Sequence, residues 1–186
     1  MVLTTTLNAL RLIGQSLWLA FEHSGDLQIL VQGDMPKRAL IERFREGGSW
    51  GLKGYVWVGA ASFREGIDVP RDALQLVVVD KIPFPPPNDP LTEARSKLSE
   101  LQGFSPLIHY LLSKAAMALK QGAGRLIRRE SDQGVLVVCD TRLISMSCGK
   151  QLMRAPPPMQ RLLYDQKLMD RIGSLTKICT MVYPQA

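Results

Sequence analysis

Gln121, Gly124, Arg125 and Arg128 stand at intervals of 0, 3, 4 and 7 residues within the stretch "KQGAGRLIRR". At about 100° per residue, that spacing sets all four on one face of a helix. Two guanidinium groups one turn apart make a planar-donor clamp suited to phosphate. A glycine beside them lets a ligand or another surface come close. The stripe is equally readable as the solvated face of an amphipathic helix whose apolar face is Leu112, Ala116, Leu119, Ala123, Leu126 and Ile127. Against that plainer reading, Gly122 and Gly124 would each cost about 0.8–1 kcal/mol relative to Ala in a helix interior. Either way Gln121, Arg125 and Arg128 should be open to solvent, with Leu119, Ala123 and Leu126 buried.

Three further groups invite a polar ligand. "SFREGID" carries Glu65, Gly66 and Asp68 just after an apolar run, as a ligand loop would, and as an ordinary loop with a helix cap also would. Thr4, Thr5 and Thr6 close the first apolar run, and Gln32 with Gly33 closes the second. Hydroxyls and N–H groups at a strand end can hold phosphates without reading sequence, and β-branched residues are also normal strand formers.

The elements that would carry these residues alternate. "MVLTTT", "LQILVQ", "YVWVGA", "ALQLVVVDK" and "GVLVVCD" read as buried strands. Helical spacing occupies "LNALRLIGQSLWLAF", the stretch from Pro36 to about Phe44, "PLTEARSKLSE" from Pro90, and Pro106 to Arg129. "EGGSWGLKG" reads as a loop, and the prolines of "KIPFPPPNDP" forbid regular structure. Apolar strands alternating with helices indicate an α/β fold with a mostly parallel sheet and helices on both faces. In such sheets ligands sit at the carboxyl ends of strands, where "TTT", "QGD", "AASFREGID" and "DTRL" fall. "RAPPPM" breaks the pattern, and "QRLLYDQKLMDRI" reads as a helix.

The 186 residues, 46% hydrophobic and 22% charged, fit one soluble domain with a sizeable core. The net charge of +6 is compatible with a polyanionic partner such as nucleic acid or a nucleotide. Three scattered cysteines, Cys139, Cys148 and Cys179, with two histidines form neither a disulfide framework nor a metal pattern. No apolar run is long enough for a membrane span, and a reducing cytoplasm is the default compartment.

"QGAGRLIR" resembles motif VI of superfamily 2 helicases, Q-x-x-G-R-x-x-R. The stretch "ALKQGAGRLIRRESDQGVLVVCDTR" resembles the form found in the DinG and YoaA family, bacterial relatives of the XPD helicase. "WVGAASFREGIDVPRDALQLVVVDKIPFPPPNDP" is similar to the family's motif V and the segment after it, and "VLTTT" stands where motif IV belongs. The wording "KIPFPPPNDP" is nearer the YoaA branch. The resemblance implies a RecA-like second helicase domain over residues 1–155, with residues 156–186 a helical tail packed on it. It implies that Arg125 and Arg128 are arginine fingers on the γ-phosphate of ATP. Gln121, Gly124, Glu65, Gly66 and Asp68 would serve the nucleotide, and Thr4, Thr5, Thr6 and Gln32 the DNA backbone. Where relatives commonly carry an aromatic residue, this chain has Arg64, a departure that bears on the loop's DNA contacts.

No GxxxxGK[ST] and no Asp-Glu dipeptide occur. The resemblance therefore implies the C-terminal motor part of a longer ATP-dependent DNA helicase in DNA repair or replication in the bacterial cytoplasm, inactive alone. ATP and Mg²⁺ would serve the longer enzyme, and an iron–sulfur cluster would belong to its N-terminal part. Partners would be single-stranded or forked DNA, the N-terminal helicase domain, and possible replication or repair proteins. The competing reading is a non-catalytic interaction module whose contact surface is the tail from Gln160 to Ala186.

Overall fold

The segment Val2–Thr4 forms β1, which lies inside a sheet between β3 (Gly54–Ala60) and β4 (Leu76–Val79). In the computed structural model, residues 1–23, 27–46, 54–60, 74–126, 134–162 and 180–182 are described. The other strands are β2 (Leu27–Val31), β5 (Val135–Val138), β6 (Gln160–Leu162) and β7 (Thr180–Val182). The sheet runs β2-β3-β1-β4-β5-β7-β6, and every pairing is parallel.

Strand alternation divides the core. Val2 and Val58 face one side with Leu10, packed on by Ile13, Leu17 and Val31. Leu3, Trp57, Val77 and Leu136 face the other, with Leu40, Phe44, Leu112, Ala115 and Leu119. The first side is covered by α1 (Leu7–Phe21), and the second by α2 (Lys37–Arg45) and α4 (Leu112–Ala123). Handedness explains the division. The crossover through α1 leaves β1 in one direction across the sheet, and those through α2 and α4 run in the other. Right-handed crossovers in opposite directions lie on opposite faces. This is a RecA-like α/β architecture.

Between β4 and α4 the proline-rich stretch is irregular, as expected from the sequence. It leads to α3 (Pro90–Leu101), where Asp89 caps by accepting from the N–H of Thr92 at 2.8 Å and from its hydroxyl at 2.9 Å. After β5 come the short helices α5 (Arg142–Ser145) and α6 (Gly149–Met153).

Two expectations change. The helix expected from Pro106 to Arg129 opens as a π-helical turn at Leu107–Leu111, continues as α4 and stops at Ala123. Its end tightens: the N–H of Arg125 donates to the Gly122 carbonyl at 3.3 Å and that of Leu126 to Ala123 at 2.9 Å. These three-residue closures are the usual way a helix terminus satisfies its last carbonyls. The tail expected to be helical from Gln160 begins instead with β6, paired to β7, which joins β5.

Candidate functional site at the carboxyl edge

The chain leaves β1 toward one side of the sheet and β4 toward the other. The carboxyl ends of these two adjacent strands are therefore the topological switch point, where parallel α/β sheets open a crevice. Thr4, Thr5, Asp80 and Lys81 stand there. The Thr5 N–H donates to Asp80 Oδ1 at 3.0 Å, and its hydroxyl to Oδ2 at 3.4 Å. The Lys81 N–H donates to the same carboxylate at 2.6 Å. Partial burial pushes the Asp80 carboxyl above its ordinary pKa, and these donors and the Lys81 charge pull against it. A small cleft at this point is lined by Thr4, Thr5, Lys81, Pro83, Ala118 and Gly122. The last turns of α4 thus reach the strand ends.

The threonines differ. Thr4 is buried, and its hydroxyl donates to the Thr6 carbonyl at 3.3 Å. Thr6 is exposed and caps α1 by accepting from the Ala9 N–H at 3.1 Å. Thr5, half-buried beside Lys81, is the one whose hydroxyl meets a charged group. Gln32 ties two strand ends together: its N–H donates to Val58 at 2.9 Å, and its Oε1 accepts from the Ala60 N–H at 2.7 Å.

At the end of α4, Leu119, Ala123 and Leu126 are buried and Gln121 is exposed, as the spacing predicts. Arg125 is half-buried instead of open, because the helix has ended and the tight turn brings it inward. Leu126 anchors this turn against the start of β5. A Cβ on Gly134 would stand 2.8 Å from Leu126 Cδ2 and 3.1 Å from the Gln75 carbonyl oxygen, so a methyl there would press on both. The close approach at Gly124 is internal: a Cβ there would lie 3.2 Å from the Lys120 carbonyl oxygen. Arg128, and Arg64, Glu65, Gly66 and Asp68 of the second motif, lie outside the described residues.

One network was not singled out from the sequence. Asp140, buried at the end of β5, accepts from Arg142 Nη2 at 2.7 Å and Nε at 3.0 Å. It also accepts from the Ile82 N–H at 2.7 Å and the Arg142 N–H at 2.9 Å. The Arg142 guanidinium lies 5.1 Å from the centre of the Phe84 ring. Burial alone would raise the Asp140 pKa. The guanidinium and backbone donors outweigh it and hold the carboxyl below its ordinary value. The pair fastens the first residues of the proline-rich stretch to the edge that holds Thr5 and Lys81. The Asp-x-Arg spacing directly after a strand was the available signal.

Residues 1–159 match the family model described as the helicase C-terminal domain. The chain belongs to that family. The ATP-dependent DNA helicase YoaA of Haemophilus influenzae is 41% identical over 142 residues, 76% of this chain and 21% of the relative. The protein of the same name from Escherichia coli is 41% identical over 141 residues, again 76% and 21%. The ATP-dependent helicase DinG of Mycobacterium tuberculosis is 38% identical over 130 residues, 70% of this chain and 19% of the relative. This helicase C-terminal domain of the DinG and YoaA kind thus spans about a fifth of the length of those relatives.

Among the described residues no cluster of three or more His, Cys, Asp or Glu is placed to hold a metal. Among the described residues, the Asp80 carboxylate accepts from Thr5 and Lys81, and that of Asp140 from Arg142. Among the described residues no helix is long and apolar enough to cross a membrane.

Proposed function

We propose that this domain is the second motor domain of an ATP-dependent DNA helicase, working against a first RecA-like domain that supplies the P-loop lysine and the Mg²⁺ ligands. Arg125 and Arg128 act as arginine fingers: they stabilise the charge that spreads over the γ-phosphoryl oxygens as the bond to the leaving phosphate breaks. Gln121, exposed on the last turn of α4, orients the nucleotide, and Gly124 allows the tight turn that presents Arg125. Glu65, Gly66 and Asp68 link the nucleotide to the DNA strand. Thr4, Thr5, Thr6 and Gln32 line the DNA side. Of these, Thr6 and Gln32 use only side-chain acceptors within the chain, which leaves the Thr6 hydroxyl and the Gln32 amide N–H₂ as donors for a phosphate, whereas Thr5 gives both its N–H and its hydroxyl to Asp80. Any iron–sulfur cluster would be held by another part of the protein, acting in the bacterial cytoplasm on single-stranded or forked DNA.

The observation that carries this reading is the meeting of the motif VI helix with the switch point. Gly122 and Ala118 of α4 share one cleft with Thr4, Thr5 and Lys81. In this reading, movement of the arginine-bearing turn is passed to the strand ends through that contact. The 186-residue chain should bind single-stranded oligonucleotides weakly, with affinity falling as salt rises. It should show no ATP turnover with or without them. Titrations at two salt concentrations with a phosphate-release assay test both. Tight, salt-insensitive, sequence-specific binding, or robust turnover by the chain alone, would contradict the reading.

A further inference from the structure

Helix α3 is inside out. It buries Thr92 and Ser99, each 4% exposed, and turns Leu91, Leu98 and Leu101 to solvent at 59%, 53% and 86%. The buried serine spends its hydroxyl on the Arg95 carbonyl at 3.0 Å. With the exposed Ala94, the leucines fall at intervals of 0, 3, 7 and 10. That is the a/d pattern of a coiled-coil seam. By rotation about the helix axis, the seam points about 130° away from the buried side.

The flanks of the seam are both basic. Arg95 and Lys97 occupy the e and g positions, one on each side, and both are exposed. The Arg95 guanidinium lies 5.9 Å from the centre of the Tyr110 ring. Lys97 meets Glu93 at 2.6 Å in an exposed pair, and such pairs contribute little and exchange readily. Phe104, stacked on His109 at 4.7 Å, and Ile108 extend the exposed apolar surface past the helix end.

We propose that α3 is a docking face for an amphipathic helix of another protein, one with an apolar seam flanked by acidic residues. Charge decides among occupants. A second copy of this chain would set Arg95 and Lys97 against their own equivalents, and like charges at e and g positions repel. The leucines of the seam offer no π-face on which a nucleic acid base could stack, and the Phe104 ring past the helix end is already stacked on His109. An acidic-flanked helix satisfies both the leucines and the two cations.

The test uses the 186-residue chain and two fluorescent three-heptad peptides with Leu at a and d, one with Glu and one with Lys at e and g. Anisotropy titration should show binding of the Glu peptide and none of the Lys peptide. Leu98→Asp, at a half-exposed position, should leave the melting temperature unchanged and weaken the Glu peptide by at least about tenfold, since a carboxylate would enter an apolar seam. The double variant Arg95→Glu, Lys97→Glu should exchange the preference of the two peptides. The proposal is overturned if the Glu peptide fails to bind or if binding ignores the charge exchange. It is equally overturned by sedimentation as a dimer that Leu98→Asp dissociates, or by displacement of the Glu peptide by a single-stranded oligonucleotide.

Discussion

Asp140 and Arg142 show what a single pair contributes at the carboxyl edge. Asp140 is 6% exposed and takes four donors from Arg142 and Ile82. Arg142→Ala would leave that carboxylate buried with only its backbone partners. The expected loss is about 1–3 kcal/mol, toward the lower end because the guanidinium is partly exposed. The pH dependence has a definite sign. The folded pKa of Asp140 lies below its ordinary value. Its stabilising contribution is therefore complete above the unfolded pKa of about 3.9 and is lost as pH falls through the lower folded value. Urea midpoints of the two proteins should differ most at neutral pH and converge in acid. A gap that widens in acid would contradict this account. Asp-x-Arg was visible in the sequence, but nothing there showed that it grips Ile82, 58 residues earlier.

At the scale of elements, the two glycines on either side of the Leu126 turn should respond in opposite directions. A Cβ on Gly122 would lie 3.7 Å from Leu3 Cδ1, an ordinary contact. Gly122→Ala should stabilise the domain by up to about 1 kcal/mol through helix propensity. Gly134→Ala drives a methyl into Leu126 and the Gln75 carbonyl and should cost about 1–3 kcal/mol. Chemical denaturation of both variants checks the signs. Helices and strands with a clear period were legible from the sequence. Leu7–Phe21 is a helix with the bounds that its apolar spacing implies, and the five strands through "GVLVVCD" all form. Three features were not. A π-helical turn at Leu107–Leu111 leaves the apolar pattern nearly unchanged, so periodicity does not report it. The end of α4 at Ala123 depends on Leu126 finding its place beside Gly134, a tertiary contact. The strand at Gln160–Leu162 depends on a partner at Thr180–Val182. The outward leucines of α3 were read as helical spacing, but spacing alone does not say which way a face points.

For the molecule as a whole, topology places the candidate site, and the role proposed for it rests on family membership. The reversal of connection direction at β1 and β4 gathers Thr5, Asp80 and Lys81 from segments some 75 residues apart. Motif order carried the family assignment correctly, because "QGAGRLIR" and its neighbours are specific strings. The proposed roles of individual residues rest on geometry that this domain and a P-loop-bearing partner domain would create together. The most direct measurement is single-turnover ATP hydrolysis by a longer protein joining this domain to its P-loop-bearing partner domain, with and without Arg128→Ala. The account predicts a fall in the hydrolysis rate of about 10³–10⁵ with ATP affinity nearly retained. An unchanged rate, or a loss confined to ATP affinity, would contradict it.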